Sequence, residues 1–126
     1  MKDVHILSSE WKVMEVLWDD APKTLMELVR VLAERVGWKK STVTTMLSRM
    51  EKKGLIRYET DGRTKHFFPA MTRQEAMSSE ADALVEKAFR GSAGLLVSCF
   101  LERDKLSPQE LGELYDFLRR SEEEAT

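Results

Sequence analysis

Hydroxyl side chains are dense in one short stretch of this chain, and a positive charge follows them. The hydroxyl residues are Ser41, Thr42, Thr44 and Thr45. Hydroxyl groups can form hydrogen bonds with bases and phosphates, and a threonine methyl can contact the methyl of thymine. Arg49, one helical turn further on, can bind guanine with two hydrogen bonds or hold a phosphate. This combination is the chemistry of contact with DNA.

The apolar residues of the same stretch predict a helix over Ser41–Lys53. They are spaced by three, one and three residues, which places them on one side of a helix: Val43, Met46, Leu47 and Met50. The opposite side carries the hydroxyl groups and Arg49. Lysines add positive charge at both ends, at Lys39, Lys40, Lys52 and Lys53. The alternative is a helix that is merely exposed, but threonine is a mediocre helix former and an odd choice for a plain surface.

Two further helices are predicted before this one. The first is capped by Ser8 or Ser9 and ends near residue 20, shortly before a proline. Thr24, followed three residues later by Glu27, is a capping box that begins the second helix, and Gly37 ends it. A short connection then leads to the third helix. This is the arrangement of a helix-turn-helix, in which the second helix of the pair enters the major groove of DNA.

A change of period after Gly54 predicts a β-hairpin. Residues 55–60 alternate in polarity, Asp61-Gly62 favours a two-residue type I′ turn, and residues 63–69 form the return strand. Three helices followed by a hairpin predict a winged helix-turn-helix. The wing tip is basic, and we expect it to lie along the DNA backbone.

The residues expected to contact DNA come from the exposed side of the third helix and from the wing. They are Lys40, Ser41, Thr42, Thr44, Thr45, Ser48, Arg49, Lys52, Arg63 and Lys65. The alternative from another class is a winged helix that serves as a protein-interaction scaffold without binding DNA, because a fold does not determine a function. The small net positive charge of the predicted DNA-binding domain supports this alternative, because residues 1–70 hold 13 Lys and Arg against 10 Asp and Glu.

The remainder of the chain is predicted to consist of helices that pair with a second copy. Thr72 and Glu75 form another capping box, which begins a helix to about residue 90, and helices over 93–102 and 108–121 follow. Three short helices make a poor independent core, whereas a dimer would bury their apolar faces and would match a palindromic DNA site. The alternative is that these helices pack on their own N-terminal domain.

The predicted fold class is therefore mainly α, with a winged helix DNA-binding domain over residues 1–70 and a helical dimerisation domain over residues 71–126. The residues expected at the dimer interface are Leu84, Val85, Phe89, Leu95, Leu96, Phe100, Leu101, Leu111, Leu114, Tyr115 and Leu118.

Patterns typical of enzymes and metal sites are missing from the sequence. His5 and His66 are the two histidines, Cys99 is the one cysteine, and there is no glycine-rich phosphate loop. We therefore predict no catalytic residue, no metal and no cofactor. The sequence contains no run of about 18 apolar residues, and we expect no membrane span and no secretion signal. With a single cysteine and no disulfide, we expect a cytoplasmic protein that does not contact a membrane.

Two stretches of the sequence resemble the penicillinase repressor family. Residues 9–18 read SEWKVMEVLW, and residues 41–56 read STVTTMLSRMEKKGLI. The resemblance extends over essentially the whole chain. It implies a homodimeric transcriptional repressor that binds a palindromic operator. The genes implied are those of antibiotic resistance or, in a copper-responsive branch of the family, of copper export.

The resemblance also assigns roles to residues. It carries the recognition-helix role onto Ser41, Thr42, Thr44, Thr45 and Arg49, and the basic-wing role onto Arg63 and Lys65. The copper branch has a C-terminal cysteine cluster, which this chain lacks. The antibiotic branch is inactivated by cleavage of an Asn–Phe bond in the dimerisation region. The matching residues here are Cys99 and Phe100, which form a candidate cleavage site for an inactivating protease.

Overall fold

Six helices and three strands follow one another in residues 5–125, the part of the chain that the computed structural model describes. They are α1 (Ser8–Asp19), β1 (Lys23–Thr24), α2 (Leu25–Val36), α3 (Lys40–Lys53), β2 (Ile56–Asp61), β3 (Thr64–Pro69), α4 (Arg73–Ala88), α5 (Ala93–Glu102) and α6 (Pro108–Ala125). Three helices followed by a hairpin confirm the predicted mainly α class and the winged helix-turn-helix.

The chain divides into two compact units, of which the first ends at Asp82 and the second begins at Ala83. The first unit therefore includes the first ten residues of α4. Ala76 of that helix is buried in the core of the unit, and Met71 packs against the same core. The functional division between residues 70 and 71 stays a prediction, and the compact unit extends past it.

Each helix of the winged domain contributes one apolar stripe to a shared core. The buried side chains of α1 are Val13, Met14, Val16 and Leu17, those of α2 are Leu28 and Leu32, and those of α3 are Val43, Met46, Leu47 and Met50. Leu55, Ile56 and Phe67 close the core from the hairpin. The spacing of three and four residues within each stripe follows from 3.6 residues per turn, so burial of the stripe determines which side of each helix meets solvent.

Reciprocal capping begins α2 and α4, as the sequence predicts. The Glu27 backbone N–H donates to Thr24 Oγ1 at 3.2 Å, and the Thr24 N–H donates to Glu27 Oε1 at 2.9 Å. The hydrogen bond from the Thr24 backbone favours the ionised carboxylate and lowers the pKa of Glu27. Thr72 and Glu75 form the same pair at α4, and the pKa of Glu75 is lowered for the same reason.

The predicted serine cap of α1 is wrong. The helix begins at Ser8, so the N-cap position belongs to Leu7, which has no side-chain acceptor. Instead, the Leu7 backbone N–H donates to Glu10 Oε1 at 2.8 Å. The first turn of α1 is therefore held by a carboxylate inside the helix.

The sheet differs from the prediction in two places. Its strand order is β1-β3-β2, all antiparallel, and the two-residue strand β1 was not predicted. In the hairpin, Asp61 pairs with Thr64, so the turn residues are Gly62 and Arg63. Gly62 has a φ of +65°, and Arg63 is not among the positive-φ residues. Glycine at the first turn position is typical of a type II′ turn, so the predicted type I′ turn at Asp61-Gly62 is wrong by one residue.

The last helix is longer than predicted. It continues to Ala125 instead of ending near residue 121, and it takes in the acidic residues 122–124.

The helix α4 ends at Ala88, and Arg90 and Gly91 follow with φ values of +53° and +79°.

A buried ion pair joins the C-terminal end of α3 to the first turn of α1. Lys53, the last residue of α3, places Nζ 2.7 Å from Glu10 Oε1 of α1. The Glu10 side chain is 0% exposed and that of Lys53 is 28% exposed. Glu10 Oε2 is buried without a hydrogen-bond partner among the described residues. The ammonium of Lys53 is therefore the main compensation for burying this carboxylate.

We predict that Lys53→Met lowers the free energy of unfolding by roughly 2–3 kcal/mol, because it leaves a buried charge without its counter-ion. Urea denaturation followed by circular dichroism measures the change. The matched control is Lys52→Met, an exposed neighbour that should cost less than about 0.5 kcal/mol. Adding Glu10→Gln to Lys53→Met should restore much of the loss, since it removes the unpaired buried charge while the amide oxygen can still accept from the Leu7 N–H. Equal effects of the two lysine changes would refute the role of the pair.

Candidate nucleic-acid interface

The third helix presents two chemically distinct sides. Its four apolar side chains are buried, with exposed fractions between 0% for Val43 and 9% for Met46. The predicted contact residues of the helix are all exposed: Lys40, Ser41, Thr42, Thr44, Thr45, Ser48, Arg49 and Lys52. Because helix geometry separates the two sides, the hydroxyl and basic groups reach solvent while the core holds the helix in place.

Local hydrogen bonding accommodates one of the hydroxyl residues. The Thr44 Oγ1–H donates to the Lys40 carbonyl at 2.9 Å, which is the bond by which threonine fits inside a helix. Gly54 ends α3 with a φ of +81°, a left-handed conformation that glycine adopts without strain.

The positive charge near α3 is distributed differently from the expectation. Lys39, Lys40 and Lys52 are exposed, and so is Arg49. Lys53 was expected to add charge at the C-terminal end, but its ammonium is paired with the buried Glu10. It therefore supports the fold and does not belong to the exposed basic side.

The wing and α3 meet at an open cleft of about 510 Å³. Four of the predicted contact residues line it: Thr44, Ser48, Arg63 and Lys65. The buried side chains of Leu47 and Phe67 also line this cleft. Lys65 Nζ lies 4.2 Å from the centroid of the Tyr58 ring, a cation–π contact that positions the ammonium on the wing. The six other predicted contact residues lie on α3 outside the cleft.

The cleft also contains residues that were not predicted to contact DNA. They are Thr24, Leu25, Met26, Glu51 and Thr64. Met26 is 54% exposed although it lies in the first turn of α2. A large apolar residue on the polar side of an amphipathic helix is the signal that could have identified it. Glu51 is also exposed, so the cleft carries a negative charge beside its cations.

The second unit leaves its apolar residues in contact with solvent. No described side chain in residues 83–124 is buried. Of the predicted interface residues, seven are at least 40% exposed: Leu84, Leu95, Phe100, Leu101, Leu111, Tyr115 and Leu118. Val85, Phe89, Leu96 and Leu114 are half-buried. This unit therefore lacks a core of its own among its described residues.

The candidate cleavage site lies inside a helix. Cys99 and Phe100 belong to the second half of α5, where Cys99 is half-buried and Phe100 is 40% exposed. A protease needs extended backbone, so this bond is accessible only when α5 opens locally.

Residues 5–125 hold neither a candidate metal site nor a candidate membrane-spanning helix. No group of three His, Cys, Asp or Glu side chains in that range is arranged to hold a metal ion. None of the helices in the described range combines the length and the apolar character needed to cross a membrane.

Comparisons with known proteins place the chain in a family. The family model described as penicillinase repressor matches residues 6–120. The penicillinase repressor of Bacillus licheniformis is 29% identical over 114 residues, which cover 90% of this chain and 89% of the relative. The methicillin resistance regulatory protein MecI of Staphylococcus aureus strain N315 is 24% identical over 119 residues, covering 94% of this chain and 97% of the relative.

Solved structures agree with this assignment for the winged domain. The solution structure of the DNA-binding domain of the repressor BlaI matches with a TM-score of 0.54 and 28% identity, covering 59% of this chain and 90% of that one. The Bacillus licheniformis BlaI monomer in complex with the blaP half-operator matches with a TM-score of 0.53, the same identity and the same coverage. The chain therefore belongs to the penicillinase repressor family, a family of transcriptional repressors and not of enzymes.

Proposed function

We propose that this protein is a homodimeric, DNA-binding transcriptional repressor that reads a palindromic operator with α3 in the major groove. The observation that carries the proposal is the two-sided α3. All four of its apolar residues are buried, and its hydroxyl side and Arg49 are exposed. Such a helix can approach base edges closely, because serine and threonine are short. The relative solved with a half-operator supports the same use of this fold.

The wing has a separate role in the proposal. Arg63 lies in the hairpin turn and Lys65 follows on β3, and both are exposed. Contacts to phosphates position a protein on DNA without reading sequence, and basic side chains at a hairpin tip suit this task. Thr44 and Ser48 share the cleft with these cations, so α3 could enter the groove while the wing follows the adjacent backbone.

Dimerisation is the second part of the proposal. The second unit exposes leucine, phenylalanine and tyrosine side chains on all three of its helical segments and buries none of its described side chains. A second copy would remove this apolar surface from water, and a twofold dimer matches the symmetry of a palindrome. The family relatives are named for penicillinase and methicillin resistance, and we propose target genes of the same class.

Release from the operator by a protease is the third part. The candidate bond between Cys99 and Phe100 lies within the unit that would hold the dimer together. Cleavage there, after local opening of α5, would separate the two DNA-binding domains and weaken binding to both half-sites together. We propose a cytoplasmic location, since that is where such a repressor meets its operator.

We predict that Arg49→Ala weakens operator binding by about 1–3 kcal/mol, because this side chain reaches a base edge from α3. The measurement is fluorescence anisotropy with a duplex selected from a random library, at several salt concentrations between 50 and 200 mM. The logarithm of the affinity should fall with the logarithm of salt, with a slope of about −0.9 per neutralised phosphate. Arg63→Ala and Lys65→Ala should each reduce that slope by about 1.

The matched control is Arg35→Ala, which removes an exposed arginine from α2 that lies 3.8 Å from Asp19. It should leave operator affinity within about twofold of the wild type, because an exposed ion pair contributes little. A flat salt response, or equal affinity for palindromic and random duplexes, would contradict the proposal. That result would favour the alternative of a protein-interaction scaffold.

We predict that Leu118→Glu converts the dimer to a monomer at micromolar concentration. Leu118 is 57% exposed on α6, and a carboxylate there would have to be buried in the interface. Sedimentation velocity measures the oligomeric state. The control Gln109→Glu adds the same charge to α6 about nine residues earlier, on the opposite side of the helix. A wild type that sediments as a monomer would refute this part of the proposal.

A further inference from the structure

The first turn of α4 is tied to α1 by an arginine that makes three contacts. Arg73 places Nη1 2.7 Å from Glu15 Oε2 and Nη2 3.3 Å from Asp19 Oδ1. Its guanidinium carbon lies 5.1 Å from the centroid of the Trp18 ring. A guanidinium suits this position because its planar fork reaches two carboxylates while one face covers an aromatic ring.

Two tryptophans of α1 extend the connection along α4. The Trp18 Nε1–H donates to the Met71 carbonyl at 2.9 Å, just before α4 begins. The Trp11 Nε1–H donates to Glu80 Oε1 at 3.2 Å, two turns into α4. The two rings meet edge to face with centroids 5.4 Å apart. Contacts at both ends of an eight-residue span, from Arg73 to Glu80, determine the direction of a helix as well as its position.

These contacts do more to orient α4 than to stabilise the domain. Ala76 is the one residue of α4 that is buried. The ion pair of Arg73 with Glu15 is about two-fifths exposed, and exposed pairs of this kind contribute little to stability. The helix itself is continuous from Arg73 to Ala88, and the second compact unit begins within it at Ala83. The contacts therefore hold α4 against α1 from Arg73 to Glu80, within the first unit.

We infer that these residues of α1 and α4 form a clamp that sets the half-site spacing this repressor accepts. The α4 clamp consists of Trp11, Glu15, Trp18, Asp19, Arg73 and Glu80. The inference rests on the proposed function, since spacing has meaning only for a dimer on paired half-sites. The clamp residues are positioning residues and do not touch DNA. If α4 could move relative to α1, the two winged domains of a dimer could bind half-sites at several separations.

The test compares a single half-site with paired half-sites. One duplex carries the selected half-site once, and a series carries two inverted copies whose separation changes in steps of one base pair. Wild-type protein should prefer one spacing over spacings two base pairs away by at least about tenfold, because each winged domain must meet the groove in register. Arg73→Ala should reduce this preference to less than about threefold while keeping single half-site affinity within about twofold.

Two further variants separate orientation from stability. Trp11→Phe keeps an aromatic ring but removes the donor to Glu80, and should also relax the spacing preference. Arg57→Ala is the matched control, because Arg57 has the same kinds of contact on β2, with Glu59 at 2.8 Å and the Phe68 ring centroid at 4.3 Å. It should retain the wild-type spacing preference.

The outcomes are distinct. An Arg73→Ala protein that keeps the wild-type spacing preference would overturn the inference. So would one that loses single half-site affinity to the same degree as paired-site affinity, since the clamp would then only support the winged domain. A wild type that binds neither the single half-site nor any paired duplex would remove the proposed function itself, and the inference with it.

Discussion

The apolar stripe of α3 is the constraint on which the rest of the molecule depends. Four side chains, at positions 43, 46, 47 and 50, are buried against α1, α2 and the hairpin. With 3.6 residues per turn, burial of this stripe leaves one orientation for the helix about its own axis. The hydroxyl groups and Arg49 are then exposed as a consequence of packing. The proposed reading surface is thus the outer side of a core element, which is more rigid than a loop.

Polar contacts secure α2 and α3 at places where apolar packing cannot. The Thr24–Glu27 capping box holds the first turn of α2, whose residues Leu25 and Met26 line the cleft. The C-terminal end of α3 is held by the Glu10–Lys53 pair. A buried carboxylate is costly, and its partner must remain in place. This pair therefore joins the end of α3 to the first turn of α1, which Glu10 also caps.

The sequence was sufficient for features that depend on local periodicity. The stripe of α3, the capping boxes at Thr24 and Thr72, and the winged fold class were predicted because each is encoded within a few consecutive residues. Hairpin register was missed by one residue, because it depends on pairing such as Ile56 with Pro69 as well as on the turn. The strand β1 was missed because two residues carry no periodicity.

Contacts between distant residues could not be predicted. Lys53 looked like a free cation because its partner lies 43 residues earlier, and the partners of Arg73 lie 54 and 58 residues before it. Burial of Glu10 gave no local sign either, since its position in α1 resembles an ordinary first-turn glutamate. The candidate DNA contacts on α3 stay predictions of the sequence, to which the structure adds their exposure and the shared cleft with the wing.

The central claim is that the exposed side of α3 and the wing contact DNA together. Its most direct test is an NMR titration of the full-length protein with a selected palindromic duplex, read as backbone amide shift changes residue by residue. The account predicts the largest changes at residues 40–52 and 61–65, with smaller changes in α1 away from the cleft. Changes confined to residues 83–125, or spread evenly over the chain, would contradict it.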